Sequence, residues 1–170
     1  MIKKWNIKKI LKEIFIGILM LFIISNIMSY IRKPDLDSNT FPQTKSQLID
    51  GSHFETSQIK GKPLLVHFWA TWCPTCKLEA PNIQALSEKY VVLTIAVQSG
   101  SDEALRKYMN ENEFDFKVIN DTHGNWAEEF KIGAFPTTFI YNKKGELSFT
   151  EVGYTTTAGL LARMGIIDNN

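Results

Sequence analysis

Residues 64–77 read Leu64-Leu65-Val66-His67-Phe68-Trp69-Ala70-Thr71-Trp72-Cys73-Pro74-Thr75-Cys76-Lys77. The apolar run 64–69 follows the turn residues Gly61-Lys62-Pro63 and reads as a buried strand. Helical spacing of Leu78, Ile83, Leu86 and Tyr90 predicts a helix over 74–90. Both cysteines therefore sit where a strand hands over to a helix. Cys73 falls at the N-cap, where free backbone N–H groups and the helix dipole favour an anion. A thiolate is the nucleophile, so this position activates Cys73. Pro74 suits the first helical position, because its fixed φ fits and its missing N–H is not needed there. Cys76 lies one turn deeper on the same face, within reach for a disulfide.

Downstream the pattern keeps alternating. Residues 91–97 predict a second buried strand. Ser101 caps a helix over 102–112 whose first turn is acidic. A short strand over 116–119 and a helix over 124–130 follow. Strands at 137–142 and 146–152 flank the turn Lys143-Lys144-Gly145, and a last helix covers 157–164. This is a βαβαβ unit feeding a ββα unit. It implies an α/β sheet covered on both faces, parallel at first and antiparallel at its closing hairpin.

Upstream the chain is different material. Residues 1–13 carry five lysines (Lys3, Lys4, Lys8, Lys9, Lys12) against Glu13, and residues 14–31 carry no charge. Eighteen helical residues span roughly 27 Å, near the ~30 Å hydrocarbon core. Arg32 and Lys33 close the far end, and Tyr30 sits where an interfacial aromatic belongs. A cleavable signal has a shorter apolar core and a small-residue cleavage site, and none is visible here. The expectation is thus a basic stub (1–13), an uncleaved transmembrane anchor (14–31), a linker (32–46) and a domain (47–170). The lysine bias places the N-terminus in the cytoplasm and the domain outside, on the periplasmic or extracytoplasmic side of the inner membrane. Ser25, Asn26 and Ser29 are candidates for a helix–helix contact. The linker, with Pro34 and Pro42, reads as a tether able to reach about 50 Å when extended.

Composition excludes several classes. With 44% hydrophobic residues and a net charge of +1, the 170-residue chain is neither disordered nor a nucleic-acid binder. Ten Gly and six Pro without a period exclude collagen-like chains, and two Cys exclude a disulfide-stapled miniprotein. The +1 is a cancellation: residues 1–33 hold seven basic and one acidic residue, while 34–170 hold twelve and seventeen.

Beside thiol–disulfide exchange, the two cysteines leave three alternatives. A structural disulfide three residues apart would constrain little of the unfolded chain. Zinc needs four ligands, and there is no second CxxC or His pair, so no metal site is expected. Copper(I) needs only two thiolates, with His67 a candidate third donor, so a copper-binding or copper-delivery module is the alternative to thiol–disulfide exchange.

The segment 68–77 resembles the active-site segment of thioredoxin-like proteins, and more narrowly the membrane-anchored TlpA/ResA/DsbE-type thiol–disulfide oxidoreductases. The likeness covers about residues 45–165. It includes Glu79 and Pro81, Asp121, the run Gly133-Ala134-Phe135-Pro136-Thr137-Thr138-Phe139, and Gly153. It implies a thioredoxin fold with a central mixed sheet and helices on both faces, and no cofactor beyond the redox-active Cys73–Cys76 disulfide. It further implies protein dithiol or disulfide substrates and a membrane electron donor of the DsbD/CcdA type. Pro136 is by resemblance a cis-proline facing the cysteines, with Phe135, Thr137 and Gly153 beside it at the substrate groove. Trp72 caps the site as an apolar docking surface. Glu79, three residues past Cys76, corresponds to an acid that shuttles the Cys76 proton. Thioredoxins proper carry a buried acid where His67 stands, so His67 is a second candidate acceptor. CPTC also occurs in the cytochrome c maturation branch, which usually has Glu at the position of Thr137. The closing Val152-Gly153-Tyr154-Thr155-Thr156 and Arg163-Met164 are more similar to the copper-sensitivity suppressor protein D group. Trp69 and Trp126 are expected in the core, and His53 and His123 in solvent-facing turns.

Overall fold

The computed structural model describes residues 7–169, without the side chains of Ile7, Ser25, Asn26, Met28, Ser29 and Tyr30. The expectations for Lys3 and Lys4, and for the side chains of Ser25, Asn26, Ser29 and Tyr30, lie outside the described residues. The chain divides into two units, 1–32 and 33–170. The first contains helix α1 (Ile7–Ile31). Its described large apolar side chains between Leu11 and Ile31 are 42–69% exposed. Among the described residues no helix is long and apolar enough to cross a membrane.

The second unit runs β1 (Lys45–Gln47), β2 (His53–Glu55), β3 (Leu64–Trp69), α2 (Pro74–Ser87), β4 (Val91–Val97), α3 (Asp102–Glu111), β5 (Lys117–Asp121), α4 (Asn125–Glu129), β6 (Thr137–Tyr141), β7 (Leu147–Val152) and α5 (Thr157–Asp168). A five-stranded sheet has the order β5-β4-β3-β6-β7. β3 pairs parallel with β4, and β4 with β5, whereas β6 runs antiparallel to both β3 and β7. This is the expected mixed sheet, with β3 at its centre.

Central position explains the unbroken apolar run: all six residues of β3 are buried. Alternate residues face opposite layers. Leu65, Trp69 and Ala96 join Ile83 and Leu86 of α2, Leu105 of α3 and Leu160 of α5. Val66, Phe68, Leu93 and Phe139 join Phe41, Phe54 and Phe130 on the other face. Trp69 is core, and Trp126 packs partly buried on the second layer.

Three local readings need correction. The helix expected over 74–90 ends at Ser87, and its apolar stripe is misplaced: Leu78 is 71% exposed while Glu79 is fully buried. The antiparallel β1–β2 pair escaped notice because three-residue strands carry too little alternation to read. His53 accordingly sits exposed on β2 and not in a turn, while His123 is exposed as expected. Finally, most of the 32–46 segment is bound to the domain. Leu36 packs on the second layer, Asp37 pairs with Lys131 at 2.6 Å, Thr40 bridges to Glu146 and Phe41 is buried. Only residues 32–35 remain between α1 and this docked stretch, about 13 Å when extended.

Helix α3 begins as expected, with the Ser101 hydroxyl accepting from the Ala104 N–H at 3.2 Å. Ser101→Ala should therefore lower unfolding stability by about 1 kcal/mol. Denaturant titration checks this, and an unchanged midpoint would mean that the cap contributes nothing.

Candidate active site

The end of β3 and the start of α2 place the cysteines as expected. Cys73 is the N-cap of α2, and its Sγ accepts the Cys76 N–H at 3.1 Å. The two are disulfide-bonded, with Cα atoms 5.3 Å apart. Cys73 is 5% exposed and Cys76 1%, so an incoming partner meets Cys73 first. The turn before it is braced: the Ser99 hydroxyl accepts the Thr71 N–H at 3.0 Å and donates to Val97 O.

Trp72 stands 56% exposed beside the disulfide. Its ring meets Phe135 edge-on at 5.4 Å, and its indole N–H donates to Gln98 O at 3.2 Å. Gln98 has φ 45°, a left-handed conformation uncommon for a side-chain-bearing residue. That carbonyl orients the Trp72 ring, a role that nothing in the local sequence signals.

The Phe135–Pro136 peptide is cis, and Pro136 is buried at the head of β6. Gly153, at φ 93°, donates its N–H to Pro136 O at 2.8 Å, which ties the two expected groove residues together. Thr137 differs from expectation. Its side chain is 1% exposed, and its hydroxyl donates to Ala134 O at 2.9 Å, so it shapes the loop and presents no side-chain surface to a substrate.

Glu79 lies beneath this surface. Its Oε1 accepts the Thr155 N–H at 3.2 Å, and its Oε2 has no hydrogen-bond partner among the described residues. Burial, opposed by that hydrogen bond and assisted by the charge of Glu151, pushes its carboxyl up to about 8. Asn82, one turn on, donates to Thr155 O at 2.9 Å and accepts from the Thr157 hydroxyl. Helix α2 thus holds the β7–α5 loop through two polar side chains, and Asn82 was missed because a helix Asn ordinarily reads as solvent-facing.

His67 is 2% exposed, and its Nδ1 lies 2.9 Å from the Thr138 hydroxyl. Strand register puts Thr94 and Thr138 on either side of it, and Glu151 opposite Thr138. Burial holds the imidazole down at about 3, so the ring is neutral at physiological pH. Asp121, within the resembling segment, is buried and accepts the Ala127 N–H at 2.9 Å, a structural cap of α4. Among the described residues no group of three or more His, Cys, Asp or Glu side chains is placed to hold a metal ion.

Residues 38–150 match the AhpC/TSA family. A Haemophilus influenzae thioredoxin-like protein is 31% identical over 160 residues, covering 94% of this chain and 95% of the relative. The sporulation thiol-disulfide oxidoreductase A of Bacillus subtilis is 31% identical over 59% of this chain and 66% of its own length. The chain is a thioredoxin-like thiol–disulfide oxidoreductase. It belongs to the AhpC/TSA family and to the group that includes ResA, DsbE and StoA. The Bacillus subtilis StoA structure superposes with a TM-score of 0.62 at 26% identity, covering 72% of this chain and 98% of StoA. A secreted thiol-disulfide isomerase from Corynebacterium glutamicum reaches 0.69 at 18% identity over 76% and 85%, a likeness of fold. The oxidoreductase places its CxxC at the strand–helix junction that the sequence marks.

Proposed function

We propose that this oxidoreductase is a membrane-anchored, extracytoplasmic reductase of protein disulfides, nearest in pattern to the copper-sensitivity suppressor protein D group. The observation that carries the chemistry is Cys73 at the N-cap of α2, the outer member of a disulfide whose inner member lies three residues before the buried carboxyl of Glu79. The reduced Cys73 thiolate attacks a substrate disulfide, forming a mixed disulfide and releasing one substrate thiolate. The Cys76 thiolate then attacks Cys73 Sγ, releases the second substrate thiolate and leaves Cys73–Cys76 oxidised. Two electrons pass to the substrate, and both substrate thiolates take up protons.

Cys76 must lose its proton in the second step. A carboxyl near 8 is matched to a thiol near 8.5, so the ionised fraction of Glu79, about one in ten at pH 7, accepts that proton, and the acid returns it when the pair is re-reduced. His67 is the weaker candidate for that role, because burial holds its imidazole down at about 3 and its Nδ1 is engaged by Thr138. Trp72 and Phe135 provide the apolar ledge, and Pro136 and Gly153 the backbone wall, against which a substrate segment lies.

The exposed apolar length of α1, the lysines before it and the CxxC family together support anchoring with the domain outside the cell. A donor of the DsbD/CcdA type would then restore the dithiol. Alkylation of free thiols in intact cells, followed by mass spectrometry, tests the direction. A mainly reduced Cys73/Cys76 pair is expected, and a mainly oxidised pair would overturn the reductase reading.

A further inference from the structure

At the opposite end of β3 from Cys73, a cavity of about 630 Å3 opens between the N-terminal segment and the β6–β7 turn. Phe41, Leu64 and Tyr141 give it an apolar floor, and Lys60, Lys62, Lys143 and Lys144 line its mouth. No acidic residue lines it. That contrast is sharp in a domain whose residues 34–170 hold twelve basic and seventeen acidic side chains. The acids nearest in sequence are engaged: Glu55 pairs with Lys45 at 2.6 Å, and Glu146 accepts from Asn142 at 3.0 Å. Lys143 is held by Asp168, whereas Lys60, Lys62 and Lys144 are exposed and make no ion pair among the described residues.

We propose that this cavity binds the phosphate of an anionic lipid headgroup, a reading that rests on the anchoring proposed above. The combination of an apolar floor and a ring of ammonium groups suits a glycerophosphate, which is anionic at one end and carbon-rich at the other. Ammonium groups act as point charges towards phosphate, and several of them near an anionic surface act together. Chain length favours a lipid source over a soluble one. Thr40 and Phe41, which line the cavity, follow the end of α1 by only nine and ten residues.

The test uses the full chain in nanodiscs of phosphatidylcholine alone or mixed with phosphatidylglycerol. Amine-reactive labelling is read residue by residue. Labelling of Lys60, Lys62, Lys143 and Lys144 should fall about fivefold in anionic discs, with Lys89 and Lys107 unchanged, and high salt should abolish the protection. The triple variant Lys60→Gln, Lys62→Gln, Lys144→Gln should lose protection at Lys143 while retaining disulfide reductase activity. Equal labelling in both discs overturns the proposal. So does equal protection by inorganic phosphate in zwitterionic discs, which would make the cavity a soluble-anion site. A chain that stays out of the discs overturns the anchoring reading and this one together, whereas entry without protection overturns this one alone.

Discussion

Cys76→Ser should arrest the oxidoreductase as a stable mixed disulfide with its partner protein, while Cys73→Ser should lose exchange altogether, by on the order of 10³-fold or more. The asymmetry follows from placement. Cys73 is the more exposed sulfur and caps α2, so it retains a stabilised thiolate when Cys76 is replaced. With no thiol at position 76, nothing resolves the adduct. Non-reducing electrophoresis of each variant after incubation with an oxidised model protein distinguishes the two. Accumulation of the adduct with Cys73→Ser would reverse the assignment of nucleophile and resolver. Stability should respond far less than activity, because a disulfide closing so short a loop contributes only about 2 kcal/mol.

The second large effect is a stability profile shaped by two buried groups of opposite sign. His67 stays neutral in the fold down to about 3 but gains a proton near 6.5 when unfolded. Between those values the unfolded chain binds the extra proton, so stability rises with pH. Glu79 keeps its proton in the fold up to about 8 but loses it near 4.5 when unfolded. Between those values the folded chain binds the extra proton, so stability falls as pH rises. From these two groups, stability should climb between about pH 3 and 4.5, stay level to about 6.5, and fall to about 8. Each limb has a slope near 1.4 kcal/mol per pH unit, and each group's full contribution is of order 5 kcal/mol.

Glu79→Gln should remove the falling limb, so its advantage over wild type grows steadily from pH 4.5 to 8. His67→Asn should remove the rising limb. Urea titrations across pH read both, and a Glu79→Gln profile parallel to wild type would refute a raised carboxyl. The same substitution should slow resolution of the mixed disulfide by about 10²-fold. In the proposed mechanism Glu79 trades stability at neutral pH for a carboxyl matched to the Cys76 thiol, a cost tolerated at working sites.

What the residues disclose depends on where each signal resides. The strand–helix junction at 69–74 was legible because apolar run, N-cap and Pro74 all point to one geometry. Sheet order followed from the alternation of strands and helices. The N-terminal segment was not legible, since Phe41 is a lone apolar residue in a polar stretch and its partners lie at Trp126, Phe130 and Tyr141. Leu78 and Glu79 misled periodicity because the helix buries the carboxyl, whose Oε1 accepts the Thr155 N–H, and turns the leucine outwards. Gln98 and Ser99 act through backbone carbonyl and hydroxyl geometry, which no spacing rule detects.

The pairing of β3 with β6 joins His67 to Thr138 across 71 positions of chain. Contacts of such separation form late, after local elements have condensed. At about 5–20 residues per second, roughly 3–12 s pass during synthesis between the appearance of Cys73 and that of Phe135. Cys73 is therefore made well before Phe135, Pro136 and Gly153, the residues that stand beside it in the fold.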